Sequence, residues 1–205
     1  MAQQMMNTKP NHNIAIKMAQ ELLKVNLDSN FKFHSYGHTL NVVRSAHAIG
    51  FHSELNSKEL AIVNLAAWFH DLGYCLSHEN HEQLSAKLVR KILTPLGIDR
   101  QKISLICDLI MATRLPQTPK NLLEQVLCDA DMSHLSQIDY PQSSLLLKSE
   151  IELIHGINYT DQEWNRKNIE FFNNHKYFTP FGKKILAPLK TENLKNLCAE
   201  RLLVA

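Results

Sequence analysis

The sequence predicts an all-α protein folded as a single helical bundle. Apolar residues recur at spacings of three and four over most of the chain, and strand-like alternation is almost absent. The 205 residues suffice for one well-filled domain, and no linker, repeat or low-complexity stretch divides them. Short runs of Ile and Val are the only strand-like feature, and their spacing stays near the helical period.

The elements follow in order. Residues 1–10, MAQQMMNTKP, are expected to be flexible and lack the apolar core of a signal peptide. Asn13 to Val25 sets Ile14, Met18, Leu22 and Val25 on one face, the pattern of an amphipathic helix. From Tyr36 to Gly50 the inner side is Leu40, Val43, Ala46 and Ala48, with Gly50 as the C-terminal stop. Ser57 is read as the N-cap of a helix carrying Leu60, Val63, Leu65 and Trp68. Further helices are expected over Glu82 to Leu96, Arg100 to Ala112, Lys120 to Leu127, Pro141 to His155, Asp161 to His175 and Phe181 to Leu203. Loops fall at Leu72–Asn80, Arg114–Pro119 and Gly156–Thr160. Within a domain spanning 11–205, residues 140–205 read as a helical extension packed on the core.

Composition narrows the function classes. A net charge of +2 and a 44% apolar share exclude a disordered chain. A pI of about 8.3 without a clustered basic run is no footprint of nucleic-acid binding. Cys75, Cys107, Cys128 and Cys198 are scattered, with no CxxC spacing, and read as reduced, mostly buried thiols of a cytoplasmic protein. No apolar run approaches the roughly 20 residues that a membrane helix needs, so no membrane partner is expected. Oligomeric state leaves no trace in the sequence.

One stretch departs from this background. WFHDLGY, Trp68 to Tyr74, places His70 and Asp71 at the end of an apolar run suited to a protein interior. A buried carboxylate is costly unless paired or bound to a metal. His38, in SYGHTLNVV, lies near a helix start, and LCDADMSHL ends another helix with two aspartates, Asp129 and Asp131. Antiparallel helices bring such ends together, and bundle cores commonly hold metals between facing helices. Two imidazoles and two carboxylates form an N/O set that suits Mn, Fe, Zn, Ni or Co and leaves positions open for water. The helical frame lets only one of Asp129 and Asp131 point directly inward and does not choose between them. The plain alternative is that Asp71 caps a helix and His70 is hydrogen-bonded internally.

In this order, His38…His70–Asp71…Asp131, the residues resemble the H…HD…D signature of the HD superfamily of metal-dependent phosphohydrolases. FHSYGHTLNVV is similar to that family's first helix, AAWFHDLGY to its HD turn, and VLCDADMSHL to its closing aspartate segment. The likeness continues through KSEIELIHGINYTDQEWNRKNIEFFNNHKYFT, close to small bacterial HD phosphohydrolases, and so covers most of the chain. The resemblance implies an HD-type helical bundle and a metal site of His38, His70, Asp71 and Asp131, with Asp129 as a neighbour. It implies hydrolysis of a phosphoester of a small phosphorylated molecule, with a nucleotide favoured. One divalent ion is expected, Mn2+ ahead of Fe2+, Zn2+, Ni2+, Co2+ or Mg2+. Such an ion neutralises Asp71 and lowers the pKa of a bound water toward neutrality, and Asp71 also orients that water.

SHENHEQLSAKLV follows the HD turn and brings His78, His81 and Glu82 toward the same cleft. His81, with Ser85–Ala86 behind it, resembles the position that holds a second ion in two-metal HD enzymes. Those enzymes carry another histidine on the next helix, where this chain has Met111, Ala112 and Thr113. The departure points to one ion, with His81 or Glu82 assisting proton transfer as catalytic residues. For Glu82, a first-turn glutamate favoured by the helix dipole is an equal alternative. His34, one turn before His38, either orients it or contacts phosphate. Arg114 and Lys148 are candidate substrate-binding cations, with solvated surface charge as the alternative for each. Trp164, Phe171, Phe172, Tyr177 and Phe178 read as core, with stacking on a nucleobase as the rival. His12, His47, His52 and His155 have no such context. Two rival functions are a metal- and nucleotide-binding sensor without turnover and di-iron redox chemistry, and the missing later histidine speaks against the second.

Overall fold

The computed structural model describes residues 8–203. Its helices are α1 (Thr8–Asn26), α2 (Tyr36–His52), α3 (Ser57–Phe69), α4 (His81–Leu93), α5 (Arg100–Ala112), α6 (Leu122–Asp131), α7 (Tyr140–His155), α8 (Asp161–Asn174) and α9 (Ala187–Leu203). Short helical turns cover Leu72–Cys75, Met132–Ser136 and Gly182–Leu186. There is no strand among the described residues, and the fold is all-α. The segment expected to be flexible lies largely outside the described residues, and the backbone is helical from Thr8.

Side-chain caps set many of the helix starts by satisfying backbone N–H groups that lack a helical partner. Ser35 accepts from the His38 N–H, Asp99 from those of Gln101 and Lys102, and Asn121 from that of Glu124. Thr160 and Glu163 form a reciprocal capping box. The cap of α3 is Asn56, not Ser57 as expected, because Asn56 accepts from Lys58 and Glu59 while Glu59 returns to the Asn56 N–H. Gly50 does not stop α2, which runs on to His52. A Cβ at Gly50 would lie 2.8 Å from the Leu60 side chain, so this glycine serves the close approach of α2 and α3.

Helix α3 is apolar nearly all round and sits at the centre, touching α1, α2, α4, α5 and α6. Val63 and every residue from Leu65 to Phe69 are buried. The face of α1 turned inward is Ala15, Ala19 and Leu23, whereas Ile14, Met18 and Val25 are exposed. Small alanines let the α1 backbone approach the core, and that closeness decides the face over side-chain bulk. The expected last helix is interrupted: a π-helical turn, Gly182–Leu186, precedes α9. Pro188 has no N–H to donate, which breaks the regular ladder there.

Helices α7 to α9 are joined to the core by buried polar contacts. The Asp129 carboxylate, with no exposure, accepts from the Phe178 and Thr179 N–H groups and from the Thr179 hydroxyl at 2.7–2.9 Å. A Cβ on Gly182 would come within 2.3 Å of the same carboxylate, so only glycine fits beside it. The Ser136 hydroxyl donates to the Leu186 carbonyl and contacts the Tyr177 hydroxyl at 2.6 Å. The Lys190 ammonium donates to the carbonyls of Phe172 and His175, closing the end of α8.

Candidate metal centre

Three helix ends deliver the residues of the centre. His38 lies in the first turn of α2, where the Ser35 cap fixes its backbone. His70 and Asp71 follow the end of α3, and Asp131 is the last residue of α6. Imidazole Nδ1 of His70 donates to the Ala67 carbonyl at 2.8 Å, using one of the carbonyls that the end of α3 leaves without a helical partner. With its proton on Nδ1, neutral His70 presents a lone pair at Nε2.

The nitrogens and oxygens converge. His38 Nε2 lies 3.4 Å from Asp71 Oδ2 and 3.3 Å from Asp131 Oδ1; His70 Nε2 lies 3.1 Å and 3.5 Å from the same two atoms. His38 Nε2, His70 Nε2 and Asp71 Oδ2 are all buried without a hydrogen-bond partner and lie within 4.8 Å of one another. Such orphaned groups are costly. Ligands about 2.1 Å from one ion are themselves roughly 3.0–3.4 Å apart at right or tetrahedral angles, which is the spacing found. The donor set therefore fits a divalent cation. Asp71 makes no side-chain capping bond, which removes the helix-cap alternative for it.

The electrostatics agree. Burial works against the charged form of every member, and the mutual attraction outweighs it. Asp71 is held well below the usual carboxylate range by His70 and His38, and Asp131 likewise. His38 is raised and His70 raised strongly by the two carboxylates. Without a cation, protons on the imidazoles offset the carboxylates, so a metal must displace protons to enter.

A second ring of groups surrounds this core. His81 and Glu82 open α4, with His81 Nε2 3.6 Å from Asp71 Oδ1 and 3.4 Å from Glu82 Oε1. Their position depends on Gly73 and Ser85. The Gly73 N–H donates to Ser85 Oγ at 2.7 Å, and a Cβ on Gly73 would come within 2.0 Å of the His81 carbonyl. His34 stacks on Tyr74 at 4.4 Å, and Tyr74 packs 4.3 Å from His81. Burial pushes His134 down to about 4, helped by His38, so it stays neutral beside the site.

These residues open onto a cavity of about 770 Å3. His34, Asp71, His81, Glu82, Arg114 and Asp131 line it, Arg114 from an exposed position. Lys148 is not brought to it: its ammonium is engaged by Asp161 at 2.9 Å and Glu152 at 3.9 Å. Of the C-terminal aromatics, Trp164 and Phe171 line the cavity while Phe172 and Tyr177 are buried. Sequence reasoning missed Glu150. This glutamate is 1% exposed and accepts from the Phe33 N–H at 2.8 Å, the His34 N–H at 3.0 Å and His34 Nδ1. Its signal was a carboxylate on the apolar side of α7, one helical turn after Leu147.

Residues 35–135 match the HD domain family. The chain carries an HD domain. Members of that family are mostly metal-dependent hydrolases that bind divalent ions. The match begins at the Ser35 cap and includes His38, His70, Asp71 and Asp131, whereas His34, Glu150 and helices α7 to α9 lie beyond it. Neither the curated proteins nor the solved structures compared with the chain include a match. No described helix is long and apolar enough to cross a membrane.

Proposed function

We propose that this HD domain is a phosphohydrolase that cleaves a small phosphoester, with a nucleotide as the favoured substrate and one Mn2+ held by His38, His70, Asp71 and Asp131. The observation that carries the reading is the group of three buried, partnerless ligand atoms, one of them on Asp71, which lines a cavity together with Asp131. When bound, a divalent ion supplies Lewis-acid polarisation of a phosphoryl oxygen and acidifies a water molecule toward neutrality. The protein's own residues do the rest. Asp71 Oδ1, turned toward His81, orients the attacking water. His81 or Glu82, 3.4 Å apart, takes up its proton. His34, held through Nδ1 by Glu150, presents its other nitrogen for protonating the leaving oxygen. Arg114 at the rim favours an anionic substrate. The four cysteines are free and suit the reducing cytoplasm we propose for the protein.

The test is release of phosphate or alcohol from a panel of nucleotides and simple phosphoesters by protein reconstituted with Mn2+. Turnover lost in Asp71→Asn is the expected result. Tight binding of metal and nucleotide without turnover on the whole panel would replace the enzyme by the sensor reading.

A further inference from the structure

From the metal centre the cavity continues along one face of α7. Leu147, Ile151 and Ile154 line it at the helical spacing i, i+4, i+7, and all three are only partly buried. An apolar stripe of this helix thus faces the cavity, and Trp164 and Phe171 of α8 line the same space. The buried polar groups around it are already engaged. The Trp164 indole donates to Ser144 Oγ at 2.8 Å, the Tyr140 hydroxyl to Asn168 Oδ1 at 2.8 Å, and Asn168 Nδ2 to the Trp164 carbonyl at 2.9 Å. Charged side chains such as Arg114, Lys167 and Glu170 are exposed at the rim.

We infer that this face of α7 is the specificity element of the site: it holds the alcohol half of the phosphoester by apolar contact, and the preferred substrates are phosphomonoesters of alcohols presenting alkyl or flat aryl surface. The occupant follows from continuity. Asp71 and Asp131 line the same cavity, so a molecule whose phosphate sits at the centre must extend its other half over Leu147, Ile151 and Ile154. Selection then tracks buried apolar area, and a nucleotide is recognised through the face of its base. These residues lie after the segment that matches the family, so the specificity belongs to the C-terminal helices of this chain. The inference rests on the phosphohydrolase reading for its reaction, and on the cavity alone for its binding preference.

Two measurements separate these. The first is calorimetric binding of n-alkylphosphonates, ethyl to hexyl, to the Mn2+-loaded protein. The second is turnover of the matching n-alkyl phosphates, whose leaving groups barely differ in reactivity. Each added methylene is expected to tighten binding and raise kcat/KM about fourfold until the space is filled. Leu147→Asn flattens both slopes, whereas Leu153→Asn, on the exposed outer side of α7, retains them. Circular dichroism checks that both variants are folded, and Ile154→Ser replaces Leu147→Asn if that variant is not. A flat wild-type binding series, or a slope that survives the inner-face variant, overturns the inference. A binding slope without any turnover supports the inference and sinks the phosphohydrolase reading; turnover with a flat series does the reverse.

Discussion

Glu150 reaches across 116 positions of sequence to hold both the backbone and the ring of His34. The contact joins α7 to the segment that leads into α2, the helix that carries His38. If its purpose is to aim His34 at a leaving oxygen, His34→Ala lowers kcat on an alkyl phosphate by about 100-fold or more. The loss on p-nitrophenyl phosphate is far smaller, because nitrophenolate departs without a proton. Glu150→Gln follows the same pattern with a smaller loss. Equal losses on both substrates count against the role.

The same pair leaves a mark on stability. Burial raises the Glu150 pKa, but the His34 hydrogen bond and charge and two backbone N–H groups outweigh it and hold the carboxyl below its ordinary value. A lowered carboxylate contributes stability above its unfolded pKa and loses it as pH falls through the folded value. Urea midpoints between about pH 7 and pH 3 therefore fall less steeply for Glu150→Gln than for the wild type. Parallel curves would remove the charge from the account.

Metal entry is expected to compete with protons. His38 and His70 are raised above the ordinary histidine value by Asp71 and Asp131, against their burial. In the metal-free chain their protonated forms therefore add stability that is complete below about pH 6.5 and is lost as pH rises through the folded values. Binding requires both rings neutral, so Mn2+ affinity falls as pH drops from alkaline toward 6.5, by up to roughly tenfold per unit for each proton displaced. Calorimetry in buffers of different ionisation enthalpy counts the protons. Affinity independent of pH over this range would contradict the ligand set.

Loading should also protect the fold. At a thousand times its dissociation constant, a ligand of the native state adds about 4 kcal/mol to stability. The wild-type melting temperature thus rises with Mn2+, and Asp71→Asn abolishes the rise. A variant that still gains the full shift would show that the ion binds elsewhere.

What the sequence made legible was the periodic part of the problem. Helical spacing gave the class and most boundaries, and the HD turn stood out because a charged pair ended an apolar run. Three features needed coordinates for physical reasons. The inward face of α1 is set by close approach through Ala15 and Ala19, which hydrophobic bulk in a one-dimensional pattern does not reveal. Gly50 looked like a stop and is a packing contact with Leu60. Glu150 serves the site through a segment 116 residues away, and nothing local announces that partner.

Asp129 and Asp131 are the sharpest case, since the helical frame alone could not rank them. Two residues along a helix differ by about 200° in direction, so α6 turns them to opposite tasks. Asp131 meets His38 and His70, while Asp129 holds Phe178, Thr179 and the approach of Gly182. Exchanging each for asparagine should separate the roles. Asp131→Asn removes a ligand charge, so metal content and turnover collapse while the metal-free protein still melts cooperatively. Asp129→Asn weakens hydrogen bonds to a buried carboxylate, each worth about 1.5–3 kcal/mol, and leaves an amide N–H2 facing backbone donors. It should lower the urea midpoint clearly and loosen α8 and α9, seen as faster hydrogen exchange at residues 175–190, while Mn2+ still binds. Metal loss in Asp129→Asn with unchanged exchange in that segment would reverse the assignment of the two aspartates.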